Sequence, residues 1–164
     1  MTKFLAPGIV STLASKGLRL AIAESLTGGA LSAAVVDEAG ASQILLGSIV
    51  AYNTALKSSL LGVSLDLLER AGAVDAEVAA QMASGARTRL AAAAHVEKAL
   101  TIGLACTGVA GPDSQDGKSV GTVFIALDGP NGCSVREFHF EGDRGQIRAE
   151  TVRNALELLA QSIS

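Results

Sequence analysis

Apolar residues recur along the chain in two alternating rhythms. Over residues 3–16, Phe4, Leu5, Ile9, Val10 and Leu13 follow a helical spacing, and Gly17 marks a stop. Residues 18–23 form a short apolar run that reads as a first strand. Residues 28–38 return to the helical rhythm, with Leu31, Val35 and Val36 inward and Gly40 as the end. A β-branched run over 44–52, interrupted by Gly47-Ser48, reads as the second strand. Thr54 is placed to cap a short helix through Leu61, and 64–71 predicts another. Asp75 caps a longer helix over 76–94, with Val78, Met82, Ala86 and Leu90 on one face. Three more strands are expected at 99–106, 120–127 and 133–140, then a last helix at 145–162 that turns Ile147, Val152, Leu156 and Leu159 inward.

Early strands that alternate with helices imply an α/β fold with a mostly parallel sheet covered on both faces. Residues 107–119 lack a helical pattern, so they join antiparallel neighbours rather than cross over. The turn Asp128-Gly129-Pro130-Asn131-Gly132 makes strands four and five a hairpin. No repeat or linker divides the chain, and residues 1–164 are expected to form a single domain.

Composition narrows the classes. The 164 residues are 49% hydrophobic but only 3% aromatic, so the core must be built from Ala, Leu, Val and Ile. A net charge of −3 gives no basic footprint for nucleic acid and no polybasic membrane patch. The N-terminal apolar stretch contains Pro7, Gly8 and Ser11, too interrupted for a signal peptide or a span. Cys106 and Cys133 do not suggest a disulfide scaffold. A cytoplasmic protein is expected. No His, Cys, Asp and Glu cluster has metal spacing, and neither a metal nor another cofactor is expected.

Candidate chemistry gathers where the first strand turns into a helix, at Glu24-Ser25-Leu26-Thr27-Gly28-Gly29. Free N–H groups of a helix start could face the same way as the Ser25 hydroxyl. Ser25 as a nucleophile needs a base. His95 and His139 lie at a helix end and on the last strand, which leaves Lys57, just beyond the second strand. Lys57 acts as a base if burial keeps it neutral; the alternative is a solvated surface lysine. Tyr52 is either a proton relay between the two or an ordinary strand-end tyrosine. Thr27, Gly28 and Gly29 either offer N–H donors to an oxyanion or simply cap the helix. Thr107 and Gly108 repeat the arrangement after strand three, at the strand ends where open α/β sheets bind ligands. Arg144 and Arg148, near the last helix start, could hold a phosphate; the alternative is solvated side chains with Asp143 as the cap. Gly117-Lys118-Ser119 lacks the glycine spacing and the following helix of a P-loop, and reads as a polar surface loop.

Seven blocks then fall in order: residues 23–29; 47–53 with Lys57; Leu61-Gly62-Val63; Gly72-Ala73-Val74; 107–112; Val120-Gly121-Thr122-Val123; and 140–144. On these the chain resembles the CinA C-terminal domain family, whose enzymes are nicotinamide-nucleotide amidases. The resemblance implies a three-layer α/β/α sandwich with a five-stranded mixed sheet, order 2-1-3-4-5 and strand four antiparallel. It implies metal-independent hydrolysis of nicotinamide mononucleotide to nicotinate mononucleotide and ammonia. The family's serine, lysine and tyrosine fall on Ser25, Lys57 and Tyr52, and Gly47 and Ser48 join the substrate-binding candidates. A small-molecule pyridine nucleotide is the expected ligand and a homo-oligomer the expected assembly. The alternative is a catalytically inactive nucleotide-binding or regulatory module on the same fold. Three departures from the family stand out. Leu26 replaces a cysteine. Residues 113–118 are polar and acidic rather than glycine-rich. The larger domain of long members is missing from this sequence, so its activity is expected to be absent.

Overall fold

Two side-chain sizes alternate along the central strands, and that alternation builds the layers. In β1 (Arg19–Glu24), Leu20 and Ile22 point to one face, Ala21 and Ala23 to the other. In β3 (Thr101–Gly108), Ile102, Leu104 and Cys106 share the first face, while Gly103 and Ala105 share the second. The large face packs on three helices: α1 (Ile9–Ser15), α2 (Ala30–Val36) and α6 (Arg144–Ile163). The small face receives α3 (Thr54–Leu61), α4 (Leu65–Ala71) and α5 (Ala76–Ala93). The computed structural model describes residues 8–164. The expected helical positions Phe4 and Leu5 lie outside the described residues.

The sheet is completed by β2 (Leu45–Val50), β4 (Thr122–Gly129) and β5 (Gly132–His139), in the order β2-β1-β3-β4-β5. β2, β1 and β3 run parallel; β4 is antiparallel to both of its neighbours. This is the expected mixed sheet with helices on both faces.

α5 approaches the sheet and α3 closely at two glycines. A Cβ on Gly103 would lie 2.1 Å from the Ala83 carbonyl oxygen, and one on Gly85 would lie 1.9 Å from that of Leu61. Backbone thus meets backbone at these two points of the α5–β3 and α5–α3 contacts, where no side chain larger than glycine's fits.

Local differences from expectation have local causes. Asn53, not Thr54, caps α3: its Oδ1 accepts from the Ala55 N–H at 2.9 Å. Val36 ends α2 exposed rather than inward. Asp143 caps α6 in a reciprocal box with Gln146, as the sequence suggested. Residues 115–118 form a miniature hairpin, with Gln115 and Lys118 exchanging backbone bonds across Asp116-Gly117. Both tip residues sit in the left-handed region, which suits an Asp-Gly turn. No helix among the described residues is long and apolar enough to cross a membrane.

Candidate active site

Period-two alternation decides which way the β1 end points its side chains. Glu24 continues the face of Leu20 and Ile22, and so lies under α2. Its carboxylate accepts from the N–H groups of Gly29, Leu31 and Ser32 and from the hydroxyls of Thr27 and Ser48, at 2.8–3.1 Å. Burial alone would raise its pKa; the bonds from Ser32, Thr27 and Leu31 outweigh that and hold it below the usual value. The start of α2 has no N-cap side chain of its own, because Gly29 occupies that position. Glu24 therefore serves as the cap from the end of the preceding strand.

Ser25 is next in the chain and turns to the face of α3. There Lys57 takes an inward position, one turn before the buried Leu61. It is 1% exposed. Its Nζ lies 3.0 Å from Ser25 Oγ and donates to the Ala51 carbonyl at 2.7 Å. Burial pulls the Lys57 pKa down to about 8. The neighbouring Cys106 thiol would oppose this only as a thiolate, but burial pushes its own pKa up to about 11. At the pH where Lys57 titrates, Cys106 is a neutral thiol and supplies no counter-ion.

Ser25 and Lys57 open into a cavity of about 130 Å³ at the carboxyl ends of the parallel strands. Leu26, Tyr52, Thr107, Gly108 and Arg144 line it, together with Ala73, Val74, Val109, Ala110, Gly111, Asp113 and Gln115. Arg144 stands at the rim, donating to the Gly111 carbonyl and the Tyr52 hydroxyl, each at 2.8 Å. The Thr107 hydroxyl donates to the Ala73 carbonyl at 2.7 Å, and Asp116 Oδ2 accepts from the Ala73 N–H at 3.0 Å.

Other sequence candidates are placed elsewhere. Tyr52 does not bridge Ser25 and Lys57, which meet directly; its hydroxyl is taken by Arg144 at the rim. The Gly28 N–H is bonded to the Ser25 carbonyl and the Gly29 N–H to Glu24, so neither is free for an oxyanion. The Thr27 side chain is fully buried, its hydroxyl against Glu24 and Cys106, while its N–H, like that of Leu26, has no hydrogen-bond acceptor among the described residues. Gly47, at φ 153, sits where the β1–β2 register shifts, and Ser48 serves Glu24. Neither reaches the cavity. Arg148 points at the turn itself, donating to the carbonyls of Leu26 at 3.0 Å and Thr27 at 2.8 Å.

Reasoning from the sequence missed the Leu26 N–H. It follows Ser25, has no hydrogen-bond acceptor among the described residues and belongs to a cavity-lining residue. The signal was its position, since the N–H after a nucleophilic serine at a strand-to-helix turn is a recurrent oxyanion donor. Among the described residues, no group of His, Cys, Asp and Glu could hold a metal ion.

Residues 2–163 match the family model described as CinA C-terminal domain. The chain belongs to this family. It is 44% identical over 156 residues to a CinA-like protein of Frankia casuarinae, covering 95% of this chain and 34% of that protein. A CinA-like protein of Geobacter sulfurreducens is 44% identical over 149 residues, covering 90% and 34%. The chain thus spans about a third of the length of these curated relatives. Among solved structures, a competence-damaged protein (CinA) superfamily protein from Escherichia coli superposes with a TM-score of 0.86 at 34% identity, covering 94% of this chain and 86% of that one. The competence/damage inducible protein CihA from Agrobacterium tumefaciens gives 0.80 at 34% identity, with 98% of each chain covered.

Proposed function

We propose that this domain is a serine–lysine amidohydrolase that converts nicotinamide mononucleotide to nicotinate mononucleotide and ammonia. The observation that carries the reading is Lys57, buried without a counter-ion among the described residues, with its Nζ 3.0 Å from Ser25 Oγ. A lysine depressed to about 8 is partly neutral near physiological pH and matched to general-base work. Neutral Lys57 takes the Ser25 proton as Oγ bonds to the carboxamide carbon. The Leu26 N–H receives the oxyanion. Protonated Lys57 passes its proton to the leaving nitrogen, and the C–N bond breaks to release ammonia. Water, deprotonated by Lys57, then attacks the serine ester; the acid leaves and Ser25 recovers its proton.

Arg144 supports a nucleotide substrate. Two of its five N–H donors are used, which leaves three for a phosphate at the rim. No part of the reaction as written requires a metal. The two free cysteines suit a cytoplasmic setting. A homo-oligomer belongs to the same proposal, supported by β2, an edge strand without a charged residue, and sedimentation velocity tests it.

Ammonia release from nicotinamide mononucleotide, nicotinamide riboside and free nicotinamide tests the function. Turnover of the mononucleotide is expected. Ser25→Ala should abolish it, and Lys57→Ala should lower kcat by about 10²–10⁴-fold. Wild-type activity in either variant would refute the mechanism. Tight binding of the mononucleotide with no turnover would favour the non-catalytic module instead.

A further inference from the structure

Arg148 is a half-buried cation without an ion pair among the described residues. Its guanidinium is committed to two backbone carbonyls, those of Leu26 and Thr27. It lies one turn along α6 from Arg144 but does not line the cavity. The Leu26 N–H belongs to the peptide between Ser25 and Leu26. That peptide is held on its carbonyl side by the Gly28 N–H, which donates to the Ser25 oxygen at 3.1 Å. The next peptide, between Leu26 and Thr27, is held by Arg148 Nε. The two restraints flank the Leu26 Cα and together fix the direction of its N–H. Gly28, at φ +60, and Gly29, at φ +98, make the rest of this turn intrinsically permissive. The external clamp from α6 therefore adds to the internal Gly28–Ser25 bond in holding the donor still.

We infer that Arg148 is a positioning residue for the oxyanion site, acting from α6 through the Leu26–Thr27 peptide on the donor that follows Ser25. It touches neither substrate nor the reacting atoms. Preorganised donors stabilise charge that develops only in the transition state. Losing Arg148 should then lower kcat and leave KM in place. Lysine keeps the charge but cannot span two carbonyls with a planar fork.

The inference rests on the amidase reading, and the test separates the two. Ammonia release from nicotinamide mononucleotide and acylation by a p-nitrophenyl ester are measured for wild type, Arg148→Lys and Arg148→Ala, with folding checked by circular dichroism and thermal melting. The expected result for both variants is a kcat and an acylation rate lower by about 10²-fold, the loss seen when one oxyanion donor is removed. KM should be unchanged, and the limb of the pH profile assigned to Lys57 should stay near 8. Added guanidinium should restore part of the Arg148→Ala rate. Wild-type rates in folded Arg148→Lys and Arg148→Ala would overturn the inference. So would a rate loss in which the pH limb moves, because Arg148 would then act through Lys57. If wild type is acylated by the ester but releases no ammonia from the amide, the amidase reading fails, while the ester rates of the variants still decide the role of Arg148.

Discussion

In the proposed mechanism Lys57 opposes stability for the sake of chemistry. Its pKa falls from 10.5 to about 8, so the folded state resists the proton that the unfolded chain would hold. The unfolded state binds more protons between these values, and stability should rise with pH from about 8 to 10.5. Below pH 8 the full penalty stands, on the order of 3 kcal/mol. Lys57→Met removes it and loses the bond to the Ala51 carbonyl, worth about 1 kcal/mol. The variant should be inactive and about 2 kcal/mol more stable at pH 7, with the advantage fading toward pH 10.5; denaturant unfolding at several pH values measures both. In wild type, kcat/KM should rise with pH to a plateau above about 8 as Lys57 loses its proton. Ser25 and Lys57 were legible in the sequence because a serine at a strand-to-helix turn and a lysine at the next such turn are brought to the same sheet edge. The role of Glu24 was not. Only its parity in β1 relative to Leu20 and Ile22 sends it under α2, and that register becomes visible once the strand is placed. The Tyr52 relay was not borne out by the geometry, because Lys57 meets Ser25 directly and the Tyr52 hydroxyl is taken by Arg144, neither of which a one-dimensional reading could place.

At the scale of elements, the contact between α5 and the sheet carries the most stringent demand. Gly103 is an ordinary-looking strand residue, yet its Cα faces the Ala83 carbonyl of α5. Gly103→Ala would force a methyl within 2.1 Å of that oxygen, and backbone cannot move aside as a flexible side chain can. Such overpacking costs about 1–3 kcal/mol, which for a chain of this size lowers Tm by about 3–10 °C. A thermal melt equal to wild type would show that α5 can lift off β3 without loss. The element order, the hairpin of β4 and β5 and the antiparallel entry of β4 could all be read from periodicity and turn residues. The close approach of α5 could not, although the Ala and Gly positions of β1, β3 and α5 record it. Small residues look like weak core when each strand is read alone, and become a packing surface only when two elements are superposed.

At the scale of the whole molecule, the cavity is assembled from segments far apart in the chain, and a few polar clamps hold them in register. Arg144 and Arg148 join α6 to residue 111 and to the turn after Ser25. The third junction is at Ala73, a cavity wall between α4 and α5. Thr107 holds its carbonyl, and Asp116, at the tip of the 115–118 hairpin, holds its N–H. The approach is close enough that a Cβ on Gly72 would lie 2.5 Å from the Asp116 carboxylate, and Gly72 also sits at φ +76. Asp116 is exposed, so its removal should leave the core intact. It should free the hairpin that carries Gln115, and the adjoining Asp113, along the cavity rim. Asp116→Ala is expected to raise KM about fivefold, the equivalent of one ordinary hydrogen bond of about 1 kcal/mol, with kcat within about twofold of wild type. Gly72→Ala displaces the same carboxylate from the other side and should raise KM in the same way, with an added loss of stability from its left-handed backbone. Steady-state kinetics of the two variants decide the point. A fall in kcat with KM unchanged would place the hairpin's influence on Ser25 and Lys57 instead of on the substrate. An unchanged KM in both would mean that the polar rim formed by Asp113 and Gln115 stands outside the reach of the proposed nucleotide substrate.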